Sequence, residues 1–129
     1  MGYVVVGGFY VISTFQFPPP TKPVTSKSKA ALVAYKECQS FVSKSKYQQA
    51  RDSCSLAIKF DPEFPEAYNL RAMSHKFLGN YQQTLKDYQT TESLLLKQGH
   101  FPEAEKTREL RESEIYVHNL KQKNLSSQK

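Results

Sequence analysis

The chain has 129 residues, 39% of them hydrophobic, with eight Phe and eight Tyr and a formal net charge of +6. That is room for one modest core, and a mean hydropathy of −0.60 argues against several membrane spans. Two cysteines, Cys38 and Cys54, are too few for a disulfide framework and have no close metal-ligand spacing.

The positive charge is unevenly spread. Lys22, Lys27 and Lys29 face no acid in the first 29 residues, residues 30–96 are close to neutral, and residues 97–129 carry a small excess. A nucleic-acid footprint should be a basic face on a folded element, so no specific nucleic acid is expected as a partner. An anionic membrane surface suits the basic flanks about as well.

Residues 3–17, YVVVGGFYVISTFQF, open the chain with an apolar, β-branched and aromatic run. A membrane anchor needs about 20 apolar residues, more than this run supplies before Gln16. A secretory signal needs a positive start and small residues at its close, and neither is there. A hairpin around Gly7-Gly8 fits the turn chemistry. The expectation is an irregular or membrane-associating segment, with packing on a partner or on the protein body kept open. Residues 18–29, PPPTKPVTSKSK, read as a semi-rigid linker, and Ser26 or Ser28 is placed to cap a helix starting near Lys29. Residues 1–29 thus form a leader and linker, and 30–129 the folded domain.

From residue 30 the hydrophobic period becomes helical. Ala31, Ala34, Cys38 and Phe41 line one face of the first helix, and Tyr47, Ala50, Cys54, Ala57 and Ile58 that of the second, which stops at DPEFP. A third runs from Glu66 to Leu78, before Gly79-Asn80, and a fourth from Tyr81 to before Gly99. The last, about 102–121, begins with Pro102 in a first-turn position and carries a thin stripe of Phe101, Ala104, Leu110, Val117 and Leu120. Arg108/Glu112 spacing suits its exposed side; residues 121–129 read as frayed. The fold class is all-α, about five antiparallel helices.

YQQA at Tyr47–Ala50 returns as YQQT at Tyr81–Thr84, 34 residues on, and the residue types follow. Cys38 aligns with Ala72, Ala50 with Thr84, Ala57 with Thr91, Cys54 with Tyr88, and Ser45-Lys46 with Gly79-Asn80. Residues 31–62 and 65–96 therefore resemble two tetratricopeptide repeats (TPR), a family of 34-residue helix–turn–helix units. Tyr68, Ala72, LGNY at Leu78–Tyr81 and Tyr88 carry the match in the second copy; Tyr47, Ala50, Ala57 and FDP at Phe60–Pro62 carry it in the first. Departures are Ala34 and Glu37 where the family has a large aromatic and Leu, and Thr84 and Thr91 where it has Ala. Gly99–Ala104 resembles a further turn with the start of a helix B, a remnant third repeat acting as a cap.

The resemblance implies a non-catalytic protein–protein interaction module: an adaptor, scaffold, assembly factor or accessory subunit. Its groove would be lined by Tyr35, Gln39 and Val42 of the first helix and Asn69, Met73 and Lys76 of the third, groups that suit an adaptable peptide- or helix-binding surface. A membrane-tethered form using residues 3–17 is the alternative. The Lys, Asn and Arg side chains that clamp a C-terminal carboxylate in one subclass have no counterpart, since Tyr35, Gln39 and Leu70 stand there. No catalytic constellation, cofactor or metal site is expected; His75, His100 and His118 are scattered, with His75 expected to replace a core aromatic. Cys38 and Cys54 are expected as buried, inert thiols, with a disulfide between them kept open as the alternative. The cytoplasm or an organellar matrix side is the expected compartment, and a second copy of the chain is one candidate to complete a partly covered end.

Overall fold

The computed structural model describes residues 26–129 and the backbone of two short strands, Val4–Val6 (β1) and Phe9–Val11 (β2). The strands pair antiparallel, Val4 with Val11 and Val6 with Phe9. Where an irregular segment is expected, β-branched and aromatic residues thus take extended backbone, in agreement with the hairpin reading. Membrane association by residues 3–17 and the character of the linker up to residue 25 lie outside the described residues.

Five helices follow: α1 (Lys29–Ser43), α2 (Tyr47–Phe60), α3 (Pro65–Phe77), α4 (Tyr81–Lys97) and α5 (Phe101–Ser127). They form a helical-hairpin solenoid in which each packs along its neighbour in sequence, with α1 also meeting α3. No described helix is long and apolar enough to cross a membrane. Ser28 is the N-cap of α1, its Oγ accepting from the Ala31 N–H at 3.2 Å, and Ser26 Oγ in turn accepts from the Ser28 N–H. This satisfies donors that a helix start leaves unpaired.

Three of the four reversals share one conformation. Ser45, Gly79 and Gly99 have φ of 57°, 78° and 78°. The next residue in each case closes the helix by donating its N–H five residues back: Lys46 to Phe41, Asn80 to His75 and His100 to Leu95, at 2.8–2.9 Å. This is the left-handed helix stop that glycine adopts without steric penalty. The α2–α3 reversal differs: Asp61 accepts from the Glu63 N–H, and Phe64 plugs the core with no exposed area.

The first helical pair has an apolar core. Ala31, Ala34, Tyr35, Ala57, Phe64 and Ala67 form one cluster, backed by Leu32, Ile58 and Leu70. Cys38, Ala50 and Cys54 form a second, backed by Phe41, Val42 and Leu70. Alanine at five of these sites, Ala31, Ala34, Ala50, Ala57 and Ala67, lets the helix axes approach, and burial excludes water from the seam. Here the structure corrects the expected inert thiols. Cys38 and Cys54 face each other across α1 and α2 with Cα atoms 5.3 Å apart and are joined as a disulfide, because the two packed helices bring both inward-facing positions within bonding reach.

The second pair is built differently. Its buried residues include Ser74, Thr84, Asp87, Thr91 and Glu92. The hydroxyls of Thr84 and Thr91 donate to the carbonyls of Asn80 (3.0 Å) and Asp87 (2.8 Å) one turn back, so threonine takes the place of alanine without an unpaired hydroxyl. Positions 34 residues apart match in burial: Cys38 and Ala72, Ala50 and Thr84, Cys54 and Tyr88, Ala57 and Thr91 are all buried.

The last helix corrects two expectations. It continues to Ser127 instead of fraying from residue 121. Of its expected stripe only Ala104 is buried; Phe101, Leu110, Val117 and Leu120 are exposed. Polar contacts dock it instead. Arg108 Nε and Arg111 Nη2 each donate to the Glu92 carboxylate at 2.8 Å, Lys76 pairs with Glu114, and the His118 ring stacks on Tyr81 with centroids 3.8 Å apart. Arg108 also reaches Glu105, so it serves the docked side of α5 and not only the exposed one.

One titration follows from these contacts. Burial pushes the Glu92 carboxyl upward, but the hydrogen bonds and charges of Arg108 and Arg111 outweigh it and hold the group below its usual range. A carboxyl lowered on folding stabilises the fold above its unfolded pKa of about 4.3 and loses that contribution as pH falls through the lower folded value. The α5 amides are therefore expected to lose hydrogen-exchange protection below about pH 4, before those of α1 and α2. Retained protection of α5 down to pH 3 would show that Glu92 does not hold it.

Candidate functional site

The expected groove residues are divided by the structure. Tyr35 is not on an open face: it is 8% exposed and its ring tilts onto Phe64 with centroids 4.8 Å apart. Ala31, Ala34 and Ala67 leave room beside it, and the aromatic fills that room. Burial and the negative charge of Glu66 raise its hydroxyl to about 12, against a hydrogen bond from Gln39. Gln39 is exposed on the adjoining turn. Val42 is half-buried against the Cys38–Cys54 cluster. On α3, Asn69 and Met73 are half-buried and Lys76 is exposed, spaced four and three residues apart along one edge.

Leu70 joins the two sets, since it packs on both core clusters and so on the α1 side of the seam. The surface is therefore a shallow α1–α3 face offering an amide (Gln39), an aliphatic edge (Val42), a second amide (Asn69), a thioether (Met73) and, at its end, an ammonium (Lys76). Lys76 is not free, because Glu114 of α5 holds it.

Beyond Lys76 lies a cleft of about 430 Å³ between the end of α3, the start of α4 and the middle of α5. Phe77 and Tyr81 form one wall, and Glu114, Val117, His118 and Lys121 the other. Phe77 is 57% exposed yet ordered by stacking on Tyr47 at 4.5 Å. The sequence reading missed this cleft. Its walls lie 33 to 44 residues apart in the chain, and the repeated YQQ, which places Tyr47 and Tyr81 at corresponding helix starts, was the one local signal of it.

A buried ionic cluster sits between α2, α3 and α4. Arg71 grips Asp87 through Nε and Nη2, both at 2.8 Å, donates from Nη1 to Ser55 Oγ at 3.2 Å, and lies over the Tyr68 ring. His75 Nε2 is 4.0 Å from Asp87, outside hydrogen-bond reach. Burial lowers the His75 pKa, against the opposing charge of Asp87. His75 thus lies, 12% exposed, beside a buried ionic cluster rather than substituting for an aromatic of an apolar core. A Ser, a His and an Asp are close here, but the Asp is committed to Arg71 and the Ser to the same guanidinium. No base is aimed at the hydroxyl, so this cluster clamps helices together and does not activate a nucleophile.

Among the described residues, no group of three His, Cys, Asp or Glu is placed to hold a metal ion. No protein-family model and no curated protein matches the chain.

Proposed function

We propose that this chain is a non-catalytic TPR-type interaction module, acting as an adaptor, scaffold, assembly factor or accessory subunit of a larger complex, and that a peptide or helix of another protein lies on the α1–α3 face. The carrying observation is the chemistry of that face. Gln39, Val42, Asn69 and Met73 put hydrogen-bonding and polarisable groups on a ledge whose rear wall, Tyr35 with Phe64 and the Cys38–Cys54 cluster, is rigid. An adaptable front on a rigid back lowers the ordering penalty of binding. The TPR reading is supported by the 34-residue correspondence of buried positions.

The test is paired capture from the native cells with tagged wild-type chain and a Gln39→Arg, Met73→Asp variant. Both changed side chains reach solvent, so the fold should hold. The expected result is one near-stoichiometric protein retained by wild type and reduced at least about tenfold with the variant, as two disrupted central contacts would give. Equal recovery from both would remove the partner from this face.

A further inference from the structure

Leu110 and Leu120 of α5 are exposed, and Val117, at the rim of the α3–α4–α5 cleft beside Ser113, is still 41% exposed; what covers this side can be read from α5 itself. The docked side carries Ala104, Thr107, Arg108, Arg111 and His118. Leu110, Ser113, Val117, Leu120 and Asn124 recur at alternating steps of three and four on another side, and Leu110, Val117 and Leu120 stay 41–42% exposed. That alternation is the seam spacing of two helices packed lengthwise. The helix also overhangs: His118 stacks on Tyr81, the first residue of α4, and everything from Asn119 on is exposed. The stretch to Ser127 would reach about 13 Å past that stack at 1.5 Å per residue. Two and a half turns with no packing are marginal in water.

Charge names the occupant. All five acids of α5 lie in its first half, at Glu103, Glu105, Glu109, Glu112 and Glu114, whereas the residues after Glu114 hold Lys121, Lys123 and Lys129 and no acid. Of the three cations in the acidic half, Arg108 and Arg111 are already engaged by Glu92, which leaves Lys106 against five acids. Such a helix is complementary to itself only when the second copy runs antiparallel. We infer that two copies of this chain associate through antiparallel pairing of α5. In that register Leu110 of each copy faces Leu120 of the other, Ser113 gives space to Val117, and Glu109 meets Lys123. The contact is two-fold and isologous, so each favourable pair occurs twice.

Sedimentation velocity of the full chain at low salt tests this. A monomer–dimer equilibrium in the range of about 10–100 µM is expected for a seam this short. Leu120→Lys should leave only monomer, with helicity and melting unchanged because the residue is exposed and lies beyond the stack. Glu109→Lys should weaken the dimer about tenfold, since two exposed ion pairs become repulsions. Adding Lys123→Glu to it should restore the wild-type constant, a rescue that parallel pairing cannot give. The inference is overturned by a chain that stays monomeric to about 1 mM, ten times the weakest expected constant. It is equally overturned by a dimer indifferent to Leu120→Lys, or by a double reversal that fails to rescue.

Discussion

Replacing Asp87 with Ala is expected to lower the stability of the folded chain by about 3 kcal/mol, the lower end of what breaking a buried ion pair costs. The Asp87 side chain is 3% exposed and holds Arg71 in two hydrogen bonds. Removing it strands a guanidinium that is 21% exposed, so part of that charge can turn to water, which sets the lower end. The effect should be cooperative, because the same guanidinium carries the bond to Ser55 of α2 and ties three helices at one point. Exchanging both partners, Arg71→Met with Asp87→Leu, should lose far less, since no charge is left buried. Urea unfolding of the three proteins measures this. An Asp87→Ala chain within about 0.5 kcal/mol of wild type, the range of an ordinary surface change, would show that the cluster is not a clamp.

The second large effect concerns Cys38 and Cys54. Sixteen residues separate them, and closing a loop of that size in the unfolded chain is worth about 3 kcal/mol. Cys38→Ala with Cys54→Ala should therefore lower stability by about that amount. A smaller loss would follow if the alanines, matching the small residue at position 72 in the second repeat, pack well in the seam. The check is thermal unfolding of wild type and variant with and without a phosphine reductant. Wild type should fall toward the variant on reduction and the variant should not respond. Because such bonds persist in oxidising compartments and are kept reduced in the cytosol, the redox state found in cells also reports on where the chain resides. A wild-type melt unmoved by reductant would mean that the α1–α2 seam rests on packing alone.

The helices were legible in the sequence because local rules specify them. Ser28, Pro65, Gly79, Gly99 and Pro102 mark starts and stops through φ preference and capping that act within a few residues. The repeat was legible because it constrains size at fixed offsets, and the buried pairs Cys54/Tyr88 and Ala57/Thr91 obey it. The far side of α5 was not legible. Periodicity finds an apolar stripe but not which way it faces, and here ion pairs to Glu92 and a Tyr81–His118 stack turn the stripe outward. The groove was half legible for a related reason. Tyr35 lies on the helix edge that its spacing indicates, but the partner that buries it, Phe64, comes from the α2–α3 turn, to which no helical period applies. The disulfide likewise depends on how α1 meets α2, a quantity set by Ala50 and Ala57 across the seam rather than by the spacing of the cysteines.

The proposed binding face is tested most directly by a photo-reactive phenylalanine analogue placed at position 73 on α3 and, separately, at the exposed position 48 on α2. Irradiation in the native cells is expected to join one other protein to the position-73 chain and leave the position-48 chain unmodified. Adducts at neither position, or the same adducts at both, would contradict a partner seated along α1 and α3.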